Sequence, residues 1–167
     1  MQPNPIALFG MAFVAFIFAF IYYHPKVMGT AWMNAAGFTE AQRNEKPSIL
    51  NLALSLLFNL FISAGLLFLT VHQTAIFSLV GADPELMLSG SAAAIMAEHG
   101  GNFLTVGHGV AHGAITYVLF FLPIMGTNVL FEKKSIKLLW INSGYWLITL
   151  MVLGVIASQW GAVVVTG

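Results

Sequence analysis

Residues 48–71 read SILNLALSLLFNLFISAGLLFLTV, a stretch without a single charged side chain. A helix needs about 20 apolar residues to cross the hydrocarbon core of a bilayer, and this stretch is long enough. Pro47 and Ser48 are typical of the start of a helix. We therefore expect a membrane-spanning helix here, with Leu79 as an alternative and more distant end.

Three further apolar runs of similar length flank this stretch, at about residues 6–23, 103–125 and 136–163. The first ends at His24, since the following Pro25 disfavours helix in the residue before it. Pro123 is expected to kink the end of the third run. The four runs predict an all-α polytopic membrane protein, a single domain over residues 1–167, with its four spans arranged as two hairpins.

The composition supports a membrane protein. Of the 167 residues, 59% are hydrophobic and 7% are charged, whereas soluble domains carry about 25% charged residues. The net charge is zero, which argues against nucleic acid as a partner because phosphates require a basic patch. Cysteine is absent, which excludes disulfides, thiolate metal sites and cysteine nucleophiles.

A shorter helix is expected in the connection between the second and third spans. Asp83, Pro84 and Glu85 supply a cap, a proline at the first position and an acid in the first turn. Gly100 and Gly101 would end this helix. It is too short and too polar at its ends to span, so we expect it to lie on the membrane surface or to fold back over the bundle.

The basic residues predict the orientation. All six lie in two of the connections, at Lys26, Arg43, Lys46, Lys133, Lys134 and Lys137. Lys and Arg accumulate in cytoplasmic loops because positive charge resists translocation. We therefore expect the 24–47 and 126–135 loops in the cytoplasm, and both termini and the 72–102 loop on the extracytoplasmic side.

The second span carries polar residues at a strict spacing of four, namely Asn51, Ser55, Asn59 and Ser63. This spacing places them on one face of a helix. Such a stripe either forms hydrogen bonds to neighbouring helices or forms one wall of a hydrated path. Asn142 and Thr149, two turns apart in the fourth span, are placed to meet it.

The third span carries Thr105, His108, His112 and Thr116 on one face. Two histidines one turn apart can chelate a metal such as zinc or transfer protons near neutral pH. They also occur as hydrogen-bonded residues of a helical core. Further candidate metal ligands toward the same outer end are Glu98, His99 and His72.

The same span contains two glycines four residues apart, Gly109 and Gly113. A pair of small residues at this spacing allows the backbone of another helix to come close. We therefore expect the third span to be the most buried of the four.

Several chemical signatures are missing from the sequence. No Asp or Glu lies inside a predicted span, although most ion-coupled transporters place one there. Phosphate-binding glycine loops, nucleophile elbows and paired carboxylates are also absent. We therefore assign no catalytic residue, and an enzyme is the less favoured class.

Two parts of the chain resemble a known family. The first part contains YYHPKVMGTAWM at residues 22–33 and GFTE at 37–40. The second contains PIMGTN at residues 123–128, then Phe131, Glu132 and Lys137, and INSGYW at 141–146. Together they resemble the bacterial family called domain of unknown function 1761. This resemblance implies a small multi-pass protein of the bacterial inner membrane, and it implies no activity.

Three functions are open on this basis. The polar stripes and the histidine pair favour a conduit for a small solute, an ion or protons. Such a conduit would be formed by a homo-oligomer, because four helices alone enclose little space. The alternatives are a structural or accessory subunit of a membrane complex, and a membrane protein that binds a metal or haem.

Overall fold

The computed structural model describes residues 2–163, and most of them are helical. Four helical stretches are long and apolar enough to cross a membrane. They are α1 (Pro5–Tyr22), α4 (Ile49–Thr70), the continuous stretch of α8 (Val106–Thr116) and α9 (Leu122–Phe131), and α10 (Ile136–Trp160). The predicted all-α architecture with four spans is therefore confirmed.

Shorter helices fill two of the connections. A π-helical turn (Pro25–Gly29), α2 (Thr30–Ala36) and α3 (Glu40–Asn44) lie between the first two spans, and α5 (Gln73–Leu79), α6 (Pro84–Met87) and α7 (Gly90–His99) lie between the second and third. Asp83 caps α6 as predicted, because its carboxylate accepts hydrogen bonds from two backbone N–H groups. The single helix expected from Asp83 to Gly100 is nevertheless divided in two. The break lies at residues 88–89, directly before Gly90, whose φ of +56° is incompatible with a continuous helix.

The second span ends at Thr70, one residue before the expected end at Val71, and the fourth ends three residues earlier than expected. Val71 adopts an extended conformation and ends α4, so that α5 is a separate helix and the extension to Leu79 was wrong. The fourth span ends at Trp160 rather than Val163. Beyond it, β2 (Ala162–Val163) pairs antiparallel with β1 (Gln2–Pro3), which brings the first and last described residues together.

The third span begins at Val106 and continues through Pro123 to Phe131, six residues beyond the predicted end. A π-helical turn, Tyr117–Phe121, immediately precedes the proline-containing segment. We attribute the continuity of this helix to the π-helical turn. Its wider backbone makes room for the proline ring, and it tolerates the loss of the hydrogen bond that proline cannot donate. The connection to α10 is therefore only residues 132–135.

Close contact between α8 and α10 dominates the packing of the bundle. A methyl group at Gly109 would collide with the carbonyl of Gly154, and one at Gly113 would collide with the carbonyl of Leu150. The two backbones therefore touch where side chains would otherwise keep them apart. This confirms the prediction made from the spacing of Gly109 and Gly113.

The most buried span is α10, whereas the third span is the least buried. The expectation that the third span would be central was therefore wrong. Its glycines bury one face only, and apolar side chains on its remaining surface, such as Ile115, Val118 and Leu119, are exposed. In a membrane these side chains face lipid, which does not penalise their exposure.

Three tyrosines join α1 to α10. The Tyr22 hydroxyl donates a hydrogen bond to the carbonyl of Ile141 at 2.9 Å, and the Tyr145 hydroxyl donates to the carbonyl of Ala15 at 3.0 Å. Tyr23 donates to the side-chain oxygen of Asn142 at 3.0 Å. Burial, together with the neighbouring phenols, raises the pKa of Tyr23, so its hydroxyl remains a donor at physiological pH.

The close approach of α8 and α10 predicts the effect of adding one methyl group. Gly113→Ala should lower the stability by about 1–3 kcal/mol, because the methyl group meets the backbone of α10 and forces the helices apart. The measurement is thermal unfolding of the purified protein in detergent. Gly126→Ala in α9 is the matched control, since no atom of residues 2–163 lies within 4 Å of its added Cβ. Equal melting temperatures for the two variants would contradict the packing described here.

Candidate functional site

Three histidines meet where α4 ends and α8 begins. His72 follows the last residues of α4, and His108 and His112 lie one turn apart on α8. One ring nitrogen from each lies within 4.8 Å of the other two. The rings of His108 and His112 are 4.3 Å apart, centre to centre, and the His72 ring is 5.0 Å from that of His108. We refer to these residues as the histidine cluster.

The position of His108 is fixed by two hydrogen bonds. Its Nε2 lies 3.1 Å from the carbonyl oxygen of Thr70, one of the last carbonyls of α4, which have no partner within the helix. Because a carbonyl only accepts, Nε2 is the donor, which in the neutral ring leaves the lone pair of Nδ1 free. The backbone N–H of His108 donates to the hydroxyl of Thr105, which caps α8.

A strained aromatic residue lies against the cluster. Phe103 has a φ of +64°, a left-handed conformation that is rare for bulky residues and is found mainly at functional sites. Its ring lies 5.4 Å from that of His72 and 5.2 Å from that of His108. The buried side chain of Gln73 donates hydrogen bonds to the carbonyls of Gly100 and Asn102, which fixes the loop that carries Phe103.

The other predicted outer ligands lie elsewhere. Glu98 and His99 contact each other at 3.5 Å with both side chains exposed, and neither contributes to the group of three ligand atoms. His99 also contacts the side-chain amide of Asn102. Thr116 is buried one turn beyond His112. Of the five histidines, the structure therefore assembles three.

The polar stripe of α4 lies toward the opposite end of the bundle and faces a cavity of about 760 Å³ between α1, α4 and α10. Asn51, Ser55 and Asn59 line this cavity. Ser63, one turn deeper, is fully buried, and its hydroxyl has no hydrogen-bond partner within residues 2–163.

The polar residues of α10 do not bond to this stripe. The side-chain oxygen of Asn142 accepts a hydrogen bond from Tyr23, and the Thr149 hydroxyl donates to the carbonyl of Tyr145 in its own helix. The cavity could not be predicted from the sequence, because its walls come from distant parts of the chain, including Trp32 in the first connection. The only signal was the regular spacing of the stripe.

An apolar core separates the cavity from the histidine cluster. Along α4, Leu66 and Leu67 lie between the stripe and His72, and along α10, Leu150 and Leu153 follow the residues that line the cavity. These four side chains are almost completely buried and pack together. The two polar regions are therefore separate sites.

A comparison with known protein families shows to which family the chain belongs. The model of a family described as a protein of unknown function (DUF1761) matches residues 6–158. The chain belongs to the DUF1761 family. No curated protein and no solved structure is significantly similar to it. In this DUF1761 protein, the histidine cluster and the residues that line the cavity all lie within the matched part of the chain. The family description carries no activity, so the function is argued from the two sites.

Proposed function

We propose that this DUF1761 protein is a metal-binding membrane protein that holds a zinc-like divalent ion in its histidine cluster. The proposal rests on three ring nitrogens, one each from His72, His108 and His112, that lie within 4.8 Å of one another. Imidazole is a preferred ligand of zinc, copper and nickel. Three such ligands and an open fourth position are the arrangement of catalytic zinc sites.

The cluster needs only a small adjustment to bind zinc. In a tetrahedral site with Zn–N bonds of about 2.0–2.1 Å, two ligand nitrogens lie about 3.3 Å apart. The three nitrogens must therefore approach one another by about 1.5 Å at most. His72 is exposed in the short turn between α4 and α5, so rotation of its side chain can supply this movement.

The surroundings of the cluster favour a cation. The hydrogen bond from Nε2 of His108 to the Thr70 carbonyl is the kind of support that orients metal-binding imidazoles. The 72–102 connection carries Asp83, Glu85 and Glu98 and no Lys or Arg. This acidic excess lowers the electrostatic potential around the cluster and attracts cations.

Haem fits these residues less well than a single ion. A porphyrin held by two histidines lies between them, and the rings of His108 and His112 are only 4.3 Å apart on the same helix.

The conduit and the accessory-subunit hypotheses stay predictions. Within one chain, the apolar core around Leu66 and Leu150 lies between the two polar regions, so a conduit would need an oligomer.

The orientation of the site is part of the proposal. Five of the six basic residues lie in the two connections at the end of the bundle opposite the histidine cluster, and Lys137 lies in the first turn of α10 at the same end. Because basic loops stay in the cytoplasm, the cluster faces the extracytoplasmic side of the bacterial inner membrane. It therefore meets metal ions on the extracytoplasmic side of that membrane.

Zinc titration of the purified protein tests the proposed site. After removal of metal by a chelator, calorimetry should detect one zinc ion per chain. His72→Ala, His108→Ala and His112→Ala should each weaken binding by at least about tenfold, because each removes one of three ligands. His24→Ala and His99→Ala are the matched controls and should bind zinc normally. The proposal fails if wild type binds no stoichiometric zinc, or if the cluster variants bind as tightly as wild type.

The zinc affinity should also depend on pH. A ligating imidazole must be unprotonated, and imidazole titrates near pH 6.5. Protons therefore compete with zinc as the pH falls, and the affinity should drop by at least about tenfold between pH 7.5 and 5.5. The measurement is the same titration at four pH values, with circular dichroism as the control for folding. An affinity that stays constant over this interval would exclude histidine ligation.

Cysteine labelling tests the orientation, since the chain has no native cysteine. Ser89→Cys in the 72–102 connection should react with a membrane-impermeant maleimide in intact cells. Lys134→Cys, between α9 and α10, should react only after the membrane is permeabilised, because the basic loops are cytoplasmic. The unmodified chain is the control for background labelling. The reverse pattern would place the histidine cluster in the cytoplasm.

A further inference from the structure

The cavity between α1, α4 and α10 contains a buried amide without a protein partner. Asn59 lines the cavity, and 6% of its surface is exposed. Its side chain makes no hydrogen bond to any other described residue. An amide that lines a cavity and has no partner in the described chain is free to form hydrogen bonds with a molecule bound there. Ser55 and Asn51, one and two turns earlier, continue the polar wall toward the basic end.

The remaining walls are mostly aromatic or apolar, and His24 is their one basic side chain among the described residues. Seven of the sixteen lining residues are aromatic, namely Phe16, Phe20, Tyr23, Trp32, Phe58, Tyr145 and Trp146. No Lys, Arg, Asp or Glu is among the described residues that line the cavity. Aromatic faces stack on flat, polarisable rings, and an uncharged apolar cavity excludes ionic groups because their desolvation is costly. The cavity therefore selects a neutral, planar molecule.

Exposed aromatic side chains lie at the edge of the cavity. Phe20 and Phe58 line it and are each at least half exposed, so they form its rim on the surface that faces lipid. Its volume of about 760 Å³ lies within the range of about 300–1,000 Å³ that is typical of small-molecule sites. A molecule dissolved in the membrane can enter from the side and leave a hydrocarbon tail among the lipids.

We propose that this cavity binds a lipid-soluble quinone. A quinone has a neutral planar ring that fits between the aromatic walls, and its carbonyl oxygens accept hydrogen bonds from the Asn59 amide and the Ser55 hydroxyl. Its isoprenoid tail extends past Phe20 and Phe58 into the bilayer. A phospholipid fits the cavity less well, because it offers flexible chains to flat walls and its charged phosphate finds neither lysine nor arginine among the described lining residues.

The four tryptophans of the chain provide a direct measurement of binding. Trp32 and Trp146 line the cavity, whereas Trp140 and Trp160 do not. The Trp140→Phe/Trp160→Phe protein therefore reports on the cavity, and the Trp32→Phe/Trp146→Phe protein reports on the rest of the surface. On titration with ubiquinone-1 in detergent, fluorescence of the first protein should show saturable quenching. The second should show only the linear quenching caused by partition of the quinone into the micelle.

A substitution of the unpartnered amide tests the hydrogen bond. In the Trp140→Phe/Trp160→Phe background, Asn59→Leu should weaken ubiquinone-1 binding about tenfold. Asn128→Leu on the exposed surface of α9 is the matched control and should have no effect, and Ser55→Val is a second cavity variant with an expected loss. All variants should keep the zinc affinity of the parent protein, because the histidine cluster is a separate site.

Three outcomes would overturn the proposal. The first is quenching that remains linear in the protein with only cavity tryptophans. The second is equal affinity of the Asn59→Leu and Asn128→Leu proteins. The third is tight retention of a co-purified phospholipid that mass spectrometry finds in wild type but not in Asn59→Leu, with no displacement by ubiquinone-1. That result would identify the cavity as a phospholipid site.

Discussion

The contact between the backbones of α8 and α10 determines where the rest of the bundle lies. Gly109 and Gly113 face α10, and His108 and His112 each precede a glycine by one residue, which turns them by about 100° around the helix axis. The glycines that dock α8 on α10 therefore also direct the two imidazoles toward the end of α4. A side chain larger than hydrogen at either glycine would disturb both the packing and the histidine cluster.

The spans were predictable from sequence because the bilayer sets the length and apolar character of a helix. The proximity of His108 and His112 followed from their spacing, whereas His72 was expected only as one of several further ligands at the same outer end. The approach of His72 depends on the end of α4 at Val71, where no proline or glycine marks a break. The burial of the third span was overestimated, because its two glycines indicate contact on one face only. Glycines reveal a contact on one face, whereas total burial depends on what the opposite face meets.

The two ends of the molecule differ in chemistry. One end carries the basic connections beside an aromatic cavity, and the other carries the three imidazoles and the acidic 72–102 connection. The core of Leu66, Leu67, Leu150 and Leu153 lies between them. This arrangement favours two independent binding sites over a continuous polar route through one chain. Sequence spacing alone predicted polar stripes at both ends, and only the packing of α1, α4 and α10 distinguished a cavity wall from an interhelical seam.

The hydrogen bonds between α1 and α10 impose an order on folding in the membrane. Tyr22 and Tyr23 are synthesised early, but their acceptors lie 119 residues later in the chain, and the side chain of Asn4 donates to Trp160, 156 residues away. The first helix therefore enters the bilayer long before its polar partners exist. Its tyrosine hydroxyls and the Asn4 amide remain solvated at the two membrane surfaces, where such groups are well tolerated. Assembly is completed only when the last helix arrives, so a chain truncated before α10 would leave its first helix without its polar partners.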